Sequence, residues 1–174
     1  GQAKLGIQLA HAGRKASART PIHGGTALQE SENPWETIAP SALAFADGWH
    51  IPKSMNEEDL VKVKSEFVES ARRAVHLGFD VIELHAAHGY LLNQFTSPLS
   101  NHRADEYGGK ELSKRLAYPL EVFDAIKEVV PKRIALGARI SGTDWVEDGL
   151  NPEEMVVFAR ALEQRGCDFV DVTS

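Results

Sequence analysis

Apolar positions along the chain follow two rhythms in turn. Short apolar or alternating runs, of the kind a buried strand needs, stand at Leu5–Ala10, Asp80–His85, Ile134–Ile140 and Asp168–Thr173. Between the later runs the apolar residues step by three or four. Leu60, Val63, Phe67, Ala71 and Ala74 line one face of a helix expected from about Glu57 to Leu77, with Asn56 as N-cap and Gly78 as stop. Leu116, Leu120, Phe123 and Ile126 mark a second helix from about Ser113 to Val130. Pro119 inside it predicts a kink or the start of its regular part, and Pro131 lies just past its end. Asn151-Pro152-Glu153-Glu154 opens a third helix with a cap, a proline in the first turn and acids at the positive dipole end, and Gly166 closes it. Two polar segments punctuated by Gly and Pro, His11 to about Asn56 and His88 to Gly109, read as loops.

Strand–helix alternation implies a parallel sheet with right-handed crossovers. Four strands and three helices fit either half of an eight-stranded barrel or part of an open doubly wound sheet. The polar residues decide between them. Period two places Val81, Glu83 and His85 on one strand face, and likewise pairs Gly137 with Arg139 and Asp171 with Thr173. Polar side chains thus gather on one side of several strands towards their C-terminal ends, as on the inner wall of a (β/α)8, or TIM, barrel. A dinucleotide-binding sheet would carry a Gly-rich phosphate turn after its first strand. His11-Ala12-Gly13-Arg14 is not such a turn. The expected fold is α/β, a partial TIM barrel of about four strands and three helices.

A chain of 174 residues, 43% hydrophobic and 25% charged, suits one globular domain with a substantial core. Its 19 Lys and Arg against 25 Asp and Glu leave a net charge of −6, which speaks against a nucleic-acid partner. The densest basic stretch, Arg14-Lys15-Ala16-Ser17-Ala18-Arg19, is short, lacks interleaved aromatics and reads as loop. The single cysteine, Cys167, rules out an internal disulfide and fits a reducing cytoplasm. No apolar run reaches the length of a membrane span. Gly1 leads almost at once into a strand and Ser174 follows another, so a piece of a longer protein is expected.

Candidate chemistry gathers at the strand ends: Gln8, then His85, His88 and Tyr90 within six residues, then Arg139 and Thr173. Imidazoles hold a polar substrate atom and a phenol delivers a proton. A cation at a strand end, Arg139, needs an anionic or electron-rich partner, and the Gln8 amide can donate and accept at once. Each residue also has a plainer reading. His85 and His88 serve equally as core or loop histidines, or as a metal pair, although neighbouring carboxylates are scarce and a metal site needs a fuller ligand set. Tyr90 could be a packing residue, and Arg139 could pair with Glu83 or Asp171. Arg103, Asp105, Glu106 and Tyr107 read as charges pairing within a loop that Gly108-Gly109 closes. Cys167 reads as a small buried apolar residue.

The chain resembles the old yellow enzyme family of FMN-dependent oxidoreductases (NADH:flavin oxidoreductases and NADPH dehydrogenases), in its thermophilic-like bacterial branch. The resemblance rests on Gln8-Leu9-Ala10-His11-Ala12-Gly13-Arg14-Lys15, on the unbroken run from His85 to Gly109, and on Ala138-Arg139-Ile140-Ser141, and it covers nearly the whole chain. It implies that Gln8 and Arg139 bind FMN, at the pyrimidine edge and beside N1 and O2. It implies that His85 and His88 hold the carbonyl or nitro oxygen of an electrophilic alkene. Tyr90 would then protonate the α carbon after a hydride from flavin N5 reaches the β carbon. NADPH or NADH would be the reductant, in a homo-oligomeric parent. On this resemblance residues 1–174 are the central segment of a single FMN-binding barrel. The outer strands, the phosphate-binding loops and the residue that tunes N5 then lie outside the chain.

Three other readings stay open. One is an iron–sulfur flavoprotein of the dienoyl-CoA reductase type, against which the His85 and His88 pair argues. The others are a metal-dependent barrel hydrolase and a non-catalytic half-barrel.

Overall fold

The structure, a computed structural model, describes residues 3–173. In chain order its elements are β1 (Gly6–Leu9), two short strands β2 (Ile38–Ala39) and β3 (Lys53–Ser54), α1 (Glu57–His76) and β4 (Val81–Ala86). After these come α2 (Leu91–Thr96), α3 (Leu112–Val129), β5 (Ala135–Ser141), α4 (Pro152–Gln164) and β6 (Phe169–Thr173). The main sheet is all parallel in the order β1-β4-β5-β6, so strand order follows chain order. Right-handed crossovers that always step the same way place every crossover helix on one face, whereas a doubly wound sheet reverses direction and covers both. The chain is a partial (β/α)8 barrel, as its polar pattern predicts.

The two faces of the sheet differ as period two requires. Ile82, Leu84, Leu136, Ala138 and Ile140 are buried beneath Val63 and Phe67 of α1, Phe123 and Ile126 of α3, and Phe158 and Leu162 of α4. Each large side chain so buried contributes roughly 1.5–3 kcal/mol of transfer free energy. The opposite face carries Gln8, Glu83, His85, Gly137, Arg139, Phe169, Asp171 and Thr173.

Local chemistry sets the helix ends. Asn56 Oδ1 accepts the Asp59 N–H at 2.9 Å while the Asp59 carboxylate accepts the Asn56 N–H at 3.0 Å, a reciprocal cap that starts α1. Asn151 caps α4 from one side only, its Oδ1 accepting the Glu154 N–H at 2.9 Å. Gly78 and Gly166, at φ +83° and +77°, take the left-handed turn that stops each helix. Helix α3 starts at Leu112 and runs unbroken through Pro119, so that proline does not mark the start of its regular part. It removes one backbone donor, and the buried side chains on both sides hold the helix together.

Neither long segment is featureless. The first holds the β2–β3 pair and three single turns of 3-10 helix. The second contains α2, all six of whose residues are buried. Arg115 of α3, 3% exposed, fastens this region. Its guanidinium donates to the Thr96 carbonyl at the end of α2 and to Glu154 Oε1 at 2.5 Å at the start of α4. Arg103 ties the same excursion down, pairing with Asp105 at 2.5 Å and donating to the Pro40 and Met55 carbonyls at 3.2 and 2.6 Å, so its charges are loop architecture as expected. Cys167 is only partly buried and its Sγ donates to the Phe169 carbonyl at 3.0 Å. Among the described residues no helix is long and apolar enough to cross a membrane.

Candidate functional site

Strand register turns scattered residues into rows. Gln8, Glu83, Gly137 and Phe169 lie side by side across all four strands, and His85, Arg139 and Asp171 form the next row towards the C-terminal ends. Ser141 and Thr173 follow. Gly137 leaves room for the Phe169 ring, since a Cβ there would fall inside it.

After β4 the chain turns back through His88, whose φ of +59° lies in the left-handed region, and enters α2 at Tyr90. This turn folds both rings onto His85. The His85 and His88 ring centres are 5.1 Å apart, and the Tyr90 ring meets His85 edge-on, also at 5.1 Å. His88 Nε2 lies 3.1 Å from Thr173 Oγ1, and the His88 N–H donates to Ser141 Oγ at 3.0 Å. The structure therefore brings His85, His88, Tyr90 and Arg139 together at one strand end. Gln8 stands one row below, two strands from Arg139 and roughly 10 Å away by strand spacing.

Several of these groups are engaged. Gln8 Nε2 donates to Glu83 Oε1 at 2.5 Å. Arg139 forms the ion pair with Asp171 that its sequence position allowed: Nε lies 3.1 Å from Asp171 Oδ2, out of line for a hydrogen bond, and Nη2 reaches Thr173 Oγ1 at 3.4 Å. A guanidinium has five N–H donors, so this pairing leaves donors free for a ligand. His85 is 3% exposed and its Nδ1 has no partner. A buried, unpaired imidazole nitrogen in the same row as a guanidinium and one row from an amide suits the polar edge of a planar anionic ring together with a carbonyl oxygen. The residues present therefore fit a flavin. Among the described residues no group of three or more His, Cys, Asp and Glu gathers as a metal site would need.

Electrostatics keep the imidazoles neutral. Burial first, then the charges of His88 and Arg139, push the His85 pKa down to about 4, against the opposing pull of Asp171. Burial, Arg139 and Lys15 lower that of His88 in the same way. An unfolded imidazole takes its proton near 6.5, so between 6.5 and 4 the unfolded chain holds the extra proton. The stability that His85 contributes is therefore full above pH 6.5 and is lost as pH falls towards 4. A His85→Gln variant is expected to show a shallower fall of melting temperature across that window than wild type. Parallel curves would remove His85 as the source.

Lys15 stands beside the same turn and was read from sequence as part of a basic loop. Its Nζ donates to the His88 carbonyl at 2.9 Å and lies over the Phe45 ring at 4.5 Å and the Tyr90 ring at 5.7 Å. Asn93 and Gln94 also support the turn, accepting the Gly89 N–H at 2.7 Å and donating to the Gly89 carbonyl at 2.7 Å. Two amides set among apolar neighbours were the sequence signal for their role.

The family model for NADH:flavin oxidoreductase / NADH oxidase matches residues 1–174. An NADPH dehydrogenase of Geobacillus thermodenitrificans is 46% identical over 172 residues, covering 99% of this chain and 45% of that protein. An NADH:flavin oxidoreductase of Gibberella zeae is 42% identical over 185 residues, covering 98% and 45%. The chain thus spans about 45% of the length of these curated relatives. Morphinone reductase superposes with a TM-score of 0.75 at 27% identity, over 97% of this chain and 47% of that one. A barrel wall with its polar row at the strand ends and a sequence match along its whole length lead to one conclusion: the chain belongs to the NADH:flavin oxidoreductase / NADH oxidase family.

Proposed function

We propose that this chain is the central segment of a single FMN-binding barrel in an NAD(P)H-dependent ene-reductase, one that reduces activated C=C bonds of enones or related electrophiles. The observation that carries the reading is the contact of the His85, His88 and Tyr90 rings at the end of β4, beside Arg139. Gln8 and Arg139 would hold the flavin, through an amide and a cation on one open face. When bound, FMN would take a hydride from NADPH or NADH and pass it to the alkene.

The protein's own residues do the rest. Neutral His85 and His88 donate hydrogen bonds to the substrate oxygen and draw electron density from the double bond. Their neutrality leaves one ring nitrogen on each as donor and keeps the pocket free of extra charge. The Tyr90 hydroxyl delivers a proton to the α carbon. Arg139, steadied by Asp171, keeps a positive charge beside the position where negative charge accumulates. The natural setting of this reading is a homo-oligomer in the cytoplasm, a reducing compartment that the lone Cys167 suits.

An absorbance spectrum of the purified full-length protein, before and after anaerobic NADPH, tests the proposal. A flavin spectrum that bleaches and then recovers on adding cyclohexenone is expected. A folded protein that stays colourless when FMN is supplied would overturn it.

A further inference from the structure

His88 carries a full side chain yet sits at φ +59°, a conformation that persists only where neighbours hold it. Its N–H is held by Ser141 of β5, and the next residue, Gly89, is held on both sides by Asn93 and Gln94 of α2. The carbonyl of His88 itself is held from elsewhere, by the Lys15 ammonium at 2.9 Å. Lys15 belongs to the first long segment, and that segment is anchored to the same turn. Gln94 Nε2 donates to the Ala12 carbonyl at 3.2 Å, and Gln94 Oε1 accepts the Arg14 N–H at 3.3 Å. Gly13, at φ +59°, packs so closely on the Gln94 amide that a Cβ would overlap it. The ammonium is then steadied between the Phe45 and Tyr90 rings.

We propose that Lys15 is a positioning residue: it clamps the His88 carbonyl, and with it the strained turn that sets His88 and Tyr90 against His85. The proposal rests on the reading of His88 and Tyr90 as substrate-site residues. Lys15 also acts on His88 through space. The groups facing that imidazole are His85 from β4, Arg139 from β5, Asp171 and Thr173 from β6, and Lys15. Burial, then Arg139 and Lys15, lower its affinity for a proton, and Asp171 opposes them. A side chain that merely filled space would leave that titration where it is.

The test uses the full-length protein with Lys15→Met, which keeps the stem but loses donor and charge, and Lys15→Arg, which keeps both. Phenol, whose oxygen two imidazoles can hold, is titrated by calorimetry, and the His88 ring is titrated by NMR. In Lys15→Met the phenol Kd is expected to rise about tenfold, the worth of a lost charge-assisted hydrogen bond. His88 should take its proton at higher pH, and Lys15→Arg should bring both readouts back towards wild type. A phenol Kd within about twofold of wild type, an unmoved His88 titration, or a loss that Lys15→Arg fails to restore overturns the proposal. If Lys15→Met does not fold, Lys15→Gln replaces it and is judged on the His88 titration, because it removes the charge and keeps a donor. His85→Ala is the control. Phenol binding insensitive to His85→Ala sinks the substrate-site reading and the clamp with it. Binding that responds to His85→Ala but not to Lys15→Met sinks the clamp alone.

Discussion

Tyr90→Phe in the full-length protein is expected to slow alkene reduction by about 10²–10⁴-fold, the usual contribution of a positioned proton donor. Oxidation of NADPH by the same variant should be nearly unchanged. The asymmetry follows from the chemistry proposed for the site. Saturating a C=C bond adds a hydride at one carbon and a proton at the other, whereas taking the hydride from NADPH asks nothing of a phenol. Tyr90 is placed for the proton step by its edge-on contact with His85, at the point where the turn enters α2. Phe keeps that ring contact and loses only the hydroxyl, so binding should change little. Rapid-mixing measurement of the two half-reactions separates the cases. Equal loss in both would take the proton-donor role from Tyr90.

Glu154→Ala carries the largest expected cost to stability, about 3 kcal/mol from leaving a buried cation without its counter-charge. Arg115 is 3% exposed, its Nε has no partner, and its other contact is the Thr96 carbonyl. Removing the Glu154 carboxylate strands the guanidinium between α2, α3 and α4. Glu154→Gln keeps an acceptor oxygen and should cost less. Replacing both partners, Arg115→Met with Glu154→Met, should recover most of the loss, because an apolar pair has no charge to leave unsolvated. Denaturant midpoints of the four proteins test this. A cost for Glu154→Ala under about 1 kcal/mol would mean that the pair behaves as a solvent-screened surface bridge.

The strands and long helices were legible because each has one buried and one open face. Leu60, Val63, Phe67, Ala71 and Ala74 were the predicted stripe of α1, and all five are buried. The caps at Asn56 and Asn151 were legible because capping is chemistry between residues three apart. Helix α2 was not. All six of its residues are buried, so no polar stripe alternates with an apolar one, and six residues span fewer than two turns. The inner order of the first long segment was hidden for a related reason. It is held by distant partners, such as Gln94 for Gly13 and Arg103 for Met55, which no local pattern announces.

The sequence by itself determined the strand–helix alternation, the side of each strand that is polar, and the cluster of two imidazoles and a phenol at the end of β4. Short-range physics governs each of these: side-chain period, capping, and the spacing of six residues. The tertiary structure alone decided what lies beside that cluster. Register set Arg139 next to His85 and gave it Asp171 as partner, which makes that arginine a paired cation with donors to spare. Chain folding brought Lys15 across from the first long segment to the His88 carbonyl. Both contacts join residues far apart in the chain. The sequence left Arg139 a choice between Glu83 and Asp171, which backbone pairing settled, and it held no sign of the Lys15 contact.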